Sequence, residues 1–482
     1  MTKSFSRMVL LVTFFFLLTV SANAQFNISG EFRMRGEYRD GYALLRDSSK
    51  TPYGTLLGRA RLLFDYKYEK LTTRFSLYDA WVFGQNNYSS DTIGKNTVNI
   101  YEAFLKYDFT KEFGVKVGRT ELVYNDERLF GASGWLMWGA THDVVLAQWE
   151  IPGSKYRGDF GFAVNNVAPA LPYMSSYLLR NYKYMGFLYE QKKFMNDKVT
   201  IAFLGVIDAF QKNSKTTTTK TTKIDTLFVR DLEGTIIGFT TTQTTTTTSK
   251  TTDYPNDLYA RATVGFDGKM DLKKFGLFLS GYYQGGRFKD GRKINSWFYT
   301  AWASYQPVTK LKLILGYEHL GGNDFSDTTE FKSTVKGFST LYGTGHRFYG
   351  YMDMFSLLIR DNMSPGLNDL YFRATFNFTD KMFLEGTYRW FSIPNPYLYV
   401  ANPKSGLPHY QEVDTKSLGS ELDLMYVYKP IPNLELNAAY CFFLPTATME
   451  KMSNIGVGKS KFAQYAYLMV TYKPNFFNSD KK

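Results

Sequence analysis

From Asn27 to Asp40 apolar and polar positions alternate without a slip. One parity carries Ile28, Gly30, Phe32, Met34, Gly36 and Tyr38, and the other Ser29, Glu31, Arg33, Arg35, Glu37 and Arg39. A period of two puts the first set on one face of a β-strand and the second on the opposite face. The same period recurs in about 18 segments, near residues 26–39, 56–69, 71–83, 97–108, 112–124, 141–150, 156–166, 182–192, 197–210, 257–269, 275–287, 294–306, 310–321, 367–378, 381–392, 417–429, 433–445 and 460–473. Each has the length of about ten residues that a tilted strand needs to cross a bilayer. Amphipathic helical spacing is essentially missing between them.

The connections sort by length. YEKL, DFTKEF, IPGSK, FMNDK, DLKK, QPVTK, FTDKM and KPIPN are tight, and the connections between them carry 40–55, 84–96, 125–140, 167–181, 211–256, 322–366, 393–416 and 446–459. One connection on the long side, KDGRK, is short, with Asp290 and Gly291 forming its hairpin. A soluble all-β protein has no reason to sort loops by side. An outer-membrane barrel has short periplasmic turns and long outer loops. The pattern predicts an all-β fold, a transmembrane antiparallel β-barrel of about 18 strands, over residues 25–482.

Residues 1–24 read as a secretory signal peptide: Lys3 and Arg7 form its basic end, MVLLVTFFFLLTV its apolar stretch, and Ala22, Asn23 and Ala24 its cleavage site. When Lys3 and Arg7 leave with it, the formal charge falls from +13 to +11. An exported basic chain implies acidic polysaccharide or small anions as partners rather than nucleic acid. With Cys441 as the one cysteine, no intramolecular disulfide can stabilise the fold. Aromatic residues make up 18% of the chain, yet no apolar run after the signal is long enough for a spanning helix, which excludes a helical membrane protein.

If the Phe32 parity faces lipid, the Arg33 parity faces the lumen. Applied along the chain, this rule places Arg33, Arg35, Arg59, Arg61, Lys116, Arg157, Arg261, Arg373 and Arg389 inside, against Glu31, Glu37, Asp65, Glu102, Asp159, Glu318, Glu385, Glu421 and Asp423. Such charges can be paired ions that keep a wide wall hydrated and rigid. Alternatively, Arg33 and Arg35 beside Arg59 and Arg61 form a positive ladder that favours anions in transit. Tyr38, Tyr66, Tyr68, Tyr107 and Trp390, at strand ends, read as interfacial girdle residues. Cys441 shares the inner parity and is expected to be a thiol that a charged maleimide reaches from the pore.

A barrel this wide keeps an aqueous channel unless something fills it. No plug domain precedes the first strand, so a constriction must come from inward loops, with 125–140 and 322–366 as the candidates. The Thr/Lys-rich insertion at 211–256 reads as an extracellular hairpin around DLEG. The four histidines, His142, His319, His346 and His409, have no serine and acid at recognisable catalytic spacing, so a lipid-hydrolysing barrel enzyme is disfavoured. No metal-ligand spacing is present, and no cofactor is implied.

One stretch is more specific than alternation. VKVGRTELVYNDERLFGASGW, Val115 to Trp135, followed by THDVV, resembles the signature of the alginate export family of outer-membrane channels. In that signature a Gly-Arg pair ends a strand and an acidic-Arg pair opens a loop leading to Trp and then Asp. The matching positions are Gly118, Arg119, Glu121, Asp126, Arg128, Trp135 and Asp143, with further similarity in NIYEAFLKY and SLGSELDLMYVYKPIPNLELNAAYCFF. The resemblance implies a monomeric, loop-gated barrel in the outer membrane of a Gram-negative bacterium, whose electropositive pore releases an anionic exopolysaccharide from the periplasm. Outer-membrane lipid and periplasmic export partners would accompany that role. Inner acids nearly as numerous as inner bases keep a general or anion-preferring uptake porin as the alternative. The expected solute path comprises the inner bases from Arg33 to Arg389 above, Glu102, Glu421 and Asp423, and Arg119 and Arg128. Val115 and Val117 put Arg119 on the lipid parity, so a β-bulge beside Gly118 is expected to turn it inward towards Glu102 or Glu121.

Overall fold

The computed structural model describes residues 24–84, 98–165, 182–212, 215–230, 236–252, 257–356, 362–401 and 408–479. The signal peptide up to residue 23, the loop stretches 85–97 and 166–181 and the DLEG turn lie outside the described residues.

The eighteen alternating segments are eighteen strands. They are β1 (Ala24–Asp40), β2 (Tyr53–Tyr68), β3 (Leu71–Val82), β4 (Asn99–Asp108), β5 (Phe113–Thr120), β6 (His142–Ile151), β7 (Tyr156–Val164), β8 (Tyr184–Phe194) and β9 (Val199–Gln211). The second half comprises β10 (Leu258–Asp271), β11 (Phe275–Arg287), β12 (Lys293–Val308), β13 (Leu311–Leu320), β14 (Leu367–Thr379), β15 (Met382–Ser392), β16 (Ser417–Tyr428), β17 (Leu434–Pro445) and β18 (Ala463–Tyr472). Each pairs antiparallel with the next. β18 returns to β1 through Phe32↔Tyr472 to Asp40↔Gln464, which closes the barrel and leaves no open edge. A short strand, Asn475–Asn478, extends the closure along the foot of β1. Between β9 and β10, Lys215–Arg230 and Ile236–Thr252 pair as a separate two-stranded ribbon.

Side-chain burial follows parity. Phe32 is 44% exposed on the outer face, while its neighbour Glu31 is buried. Leu370, Phe372, Phe376 and Phe378 are likewise exposed, and Asp369, next to Leu370, is fully buried. Buried charge on the inner parity means that the wall does not face a uniformly wet lumen. It faces chain. Leu129, Phe130 and Met137 from the β5–β6 connection (121–141) are buried, as are Phe338, Tyr349, Met352 and Phe355 from the β13–β14 connection (321–366). Apart from Met137, these pack into one cluster with inner-wall residues such as Tyr189, Leu204 and Tyr465. Fully burying such a side chain contributes about 1.5–3 kcal/mol. The inward loops are thus part of the core.

Candidate solute path

The first two strands receive the inward loop. In the β1–β2 register Arg33 lies opposite Arg59 and Glu31 opposite Arg61, so the four arginines do share one wall. They are not an open ladder. Arg33 donates to the Gly134 carbonyl at 2.5 Å, Arg35 to the Trp135 carbonyl at 2.7 Å, and Arg59 to the carbonyls of Leu136 and Met137 at 3.1 and 3.2 Å. Arg59 also pairs with Glu31, and the Arg61 guanidinium lies 3.6 Å over the Tyr101 ring. Arg35 and Arg59 are 3% and 1% exposed. Three inner arginines on two adjacent strands therefore grip four consecutive backbone carbonyls, and the expected positive wall is largely consumed in holding the loop.

The two inward loops also hold each other. Tyr342 donates its backbone N–H to the Leu129 carbonyl at 3.0 Å, and Gly131 donates to the Tyr342 carbonyl at 3.2 Å. Gly343 is required there, because a Cβ would collide with the Arg128 carbonyl. Arg128 pairs with Glu318 on the wall and with Asp126 at 3.0 Å. Burial opposes the Arg128 charge, but these two carboxylates hold its pKa well above the ordinary arginine value. Arg261 makes a two-pronged bond with Asp208, at 3.0 and 2.5 Å, and the Tyr342 hydroxyl joins the same carboxylate at 2.7 Å. Glu421 accepts from the Met352 N–H at 2.8 Å and Asp423 from the Tyr351 N–H at 3.3 Å, while Arg389 pairs with Asp369 and approaches Asp423 at 3.7 Å. Arg261, Glu421 and Asp423 are therefore inward but sealed under the loops, while Arg128, itself on the β5–β6 connection, and Arg389 are tied up in these ion pairs at the edge of the space below. Cys441 is sealed as well: it faces inward, yet it is fully buried in the cluster that contains Phe355 and Phe443, which removes the expected access from the pore.

Glu102 accepts from the Thr120 hydroxyl at 3.1 Å and the Glu121 N–H at 3.3 Å and pairs with Arg74 at 3.2 Å. Lys116 sits 4.5 Å over the Phe104 ring, Arg157 sits 5.4 Å over the Tyr189 ring, and Arg373 bonds Thr387 at 3.1 Å beside Glu385 at 3.4 Å. These face inward. Arg119 does not. The ladder through Gly118 is regular, pairing Ala103↔Arg119 and Arg119↔Asp143, and Arg119 binds outward-facing Asp143 instead of Glu102 or Glu121. Gly118 has a φ of +129°, and a Cβ there would collide with the Ala103 carbonyl. The wall's irregularity falls on β4 instead. Ser76 pairs with Glu102 but Leu77 with Ile100, which leaves Tyr101 unmatched, and both Tyr101 and Glu102 are buried.

Below the loops lies open space. A cavity of 630 Å³ has Asn125, Arg128 and Arg347 at its ceiling and reaches Lys193, Lys269 and Lys312 beside the short turns. Lys193 and Lys312 form no ion pair among the described residues. One wall carries Phe278 and Trp302, stacked at 5.6 Å with planes 15° apart. The inward parity of β11 and β12 carried that signal, which sequence reading passed over. Among the described residues no three metal-ligating side chains come together.

The fold has relatives among solved structures. The OccAB1 protein of Acinetobacter baumannii superposes with a TM-score of 0.55 at 11% identity, over 94% of this chain and 97% of that one. A BenF-like porin from Pseudomonas fluorescens Pf-5 gives 0.54 at 11%, over 94% and 99%, and the outer membrane protein opdK of Pseudomonas aeruginosa 0.52 at 11%, over 93% and 99%. At this identity the likeness is one of fold. No curated protein matches the chain in sequence. The sequence model of alginate export proteins matches residues 24–454, nearly the whole barrel. The chain therefore belongs to the alginate export family, as a β-barrel channel of the Gram-negative outer membrane.

Proposed function

We propose that this channel passes anionic solutes and serves the export of an acidic polysaccharide. The observation that carries this reading is the cavity at the periplasmic end, where Lys193 and Lys312 meet water without an ion-pair partner among the described residues and Arg347 hangs from the loop ceiling. Cations on a low-dielectric wall focus the field and concentrate anions. Family membership supports the exporter over other anion channels. A second reading, an anion-preferring uptake porin, is favoured by the packing of the inward loops, which leaves less room for a polymer than for a small solute. Either reading assigns the barrel transport and no bond chemistry.

Planar-bilayer recording tests both. Reversal potentials in a salt gradient should show anion preference, and an acidic oligosaccharide should interrupt the current more often than a neutral one of equal length. Anion preference with block by small carboxylates but none by the acidic oligosaccharide would favour the uptake porin. Equal permeability to cations and anions would sink both.

A further inference from the structure

The lipid face of β11 and β12 carries two charges that neither the barrel wall nor the solute path uses. In the ladder Arg287 lies directly opposite Lys293 at the outer end of the wall, and both residues are exposed. Like charges facing each other across a strand pair are destabilising unless an anion answers them. The acid of the hairpin between them does not, because Asp290 is held by Arg292 at 2.9 and 2.6 Å. Arg287 and Lys293 form no ion pair among the described residues, and the outward parity of the two strands carries no carboxylate. Arg287 is steadied by the hairpin backbone instead, donating to the Gly291 carbonyl at 2.8 Å.

Aromatic pairs on the same face fix the depth of these cations. Phe275 stacks on Tyr305 at 4.9 Å at the lower end of the two strands, and Tyr283 meets Trp297 at 4.7 Å near the upper end. Such girdles mark the two membrane interfaces of a barrel. Arg287 and Lys293 stand beyond the upper pair, at the level of lipid headgroups. Below that pair the outer wall holds a 600 Å³ groove that includes Gly268, Gly281 and Ala301, with Phe266, Leu279 and Tyr299 exposed around it. From Arg287 down to Gly281 the strand covers about 20 Å at about 3.4 Å per residue, or about 14 Å of depth at a tilt near 45°. Half the hydrocarbon core is about 15 Å thick. The cations and the groove are therefore spaced as the headgroup and the acyl chain of one lipid.

We propose that this outer face binds one phosphorylated lipid of the outer leaflet, with a phosphate between Arg287 and Lys293 and an acyl chain over Gly281 and Ala301. Charge complementarity selects the headgroup, since a guanidinium beside an ammonium, with no competing carboxylate on the face, suits a phosphate. The apolar groove selects the tail, because a side chain is missing at Gly268 and Gly281 where lipid would otherwise meet a level wall. The bound phosphate would also relieve the repulsion between Arg287 and Lys293. This site lies on the opposite side of the wall from the solute path and is independent of what the channel carries.

Native mass spectrometry of the whole barrel in detergent tests this, with diphosphoryl lipid A, the same lipid stripped of its phosphates, or inorganic phosphate added in turn. The wild-type barrel should retain one diphosphoryl lipid A and hold the stripped lipid far more weakly. R287Q/K293Q should weaken retention of the phosphorylated lipid about 30-fold, since each basic side chain facing anionic lipid contributes a factor of about five. G281L/A301L, which fills the groove, should weaken both lipids and leave the preference for phosphate intact. Heat-dependent gel mobility checks that each variant still closes its barrel. Equal retention of the two lipids by the wild type would overturn the proposal, and that comparison needs no variant to fold. So would retention unchanged in R287Q/K293Q. Displacement by inorganic phosphate, with no effect of G281L/A301L, would overturn it in favour of a free-anion site. Barrel pairs that form without lipid and vanish in G281L/A301L would place a second copy of the chain in the groove instead.

Discussion

Arg119 and Asp143 meet on the outer face of the barrel through two parallel hydrogen bonds of 2.8 and 2.9 Å, directly across the β5–β6 ladder. Each charge is tolerable at the lipid side because the other answers it, in the two-pronged geometry that suits guanidinium and carboxylate. R119L or D143L should each leave one bare charge and destabilise the barrel by about 1–3 kcal/mol. The double variant R119L/D143L should regain most of that loss. Urea unfolding in detergent or liposomes measures all four corners of the cycle, and additive losses would show that the two residues do not act as a pair.

Arg59 carries the largest share of the grip on the β5–β6 connection, with two carbonyls and Glu31 as partners. R59M removes all three bonds while keeping bulk, and should loosen residues 134–137 at a local cost of about 1–3 kcal/mol. R59K should rescue poorly, because a single ammonium cannot span the fork that guanidinium fills. Hydrogen exchange of the 134–137 amides is the measurement. Wild-type protection in R59M would mean that the loop stays in the lumen without its clamp.

These two sites show what the letters carried and what they did not. Strand placement was legible because a period of two is a property of side chains, and Phe32, Leu370, Phe372, Phe376 and Phe378 all stand exposed on the outer face. The clamp was not, because Arg33, Arg35 and Arg59 bond backbone carbonyls, and Gly134 to Met137 would offer those whatever their side chains. The Arg119 partner was within reach. Parity places Arg119 and Asp143 on the same outer face, and only the register between β5 and β6 was needed to join them. The inward loops were rightly named as candidates from length alone, but the burial of Arg128, Arg261 and Arg389 depends on contacts 20 to 190 residues apart that no local pattern encodes.

Glu450 gives the β17–β18 loop a pH limit. Its carboxylate accepts from the Ser460 hydroxyl at 2.5 Å and the N–H groups of Gly458 and Ser460 at 2.7 and 3.0 Å. Burial pushes its pKa up, but these bonds outweigh burial and hold it below the usual 4.5. A carboxyl lowered in the folded state stabilises above its unfolded pKa, and the contribution is lost as pH falls through the folded value. Residues 446–460 should therefore become protease-sensitive as the pH falls below the ordinary glutamate range, while the barrel stays closed. E450Q should show the same sensitivity at pH 7. A cleavage profile that ignores both pH and the substitution would refute the assignment.

Cys441 should stay silent towards a small charged maleimide in the folded channel and react only after unfolding, since its side chain is fully buried in the cluster that also holds Phe355 and Phe443. Reaction at the wild-type rate of a free thiol, without denaturant, would mean that the β13–β14 connection leaves the lumen on the labelling timescale. Mass spectrometry of the intact protein reads the outcome directly.

Trp135 is a further joint between the two inward loops and the wall. Its indole lies flat on the His346 ring at 3.8 Å with planes 7° apart, receives the Arg35 guanidinium on its ring at 3.8 Å, and meets Tyr467 edge-on at 4.9 Å. His346 stacks in turn on Tyr351 at 5.0 Å and bonds Asp353 at 2.9 Å. Aromatic pairs contribute about 0.5–1.5 kcal/mol and cation–π contacts about 0.5–2 kcal/mol, so the stack is worth enough to set how long the loops stay docked. It touches few of the ladder hydrogen bonds that close the barrel. W135A should therefore raise single-channel conductance and open-channel noise while leaving the unfolding midpoint nearly unchanged, and W135F should fall between it and wild type. If W135A conducts with wild-type amplitude and noise, the stack does not hold the loops in the lumen, and the arginine grip on the carbonyls suffices alone.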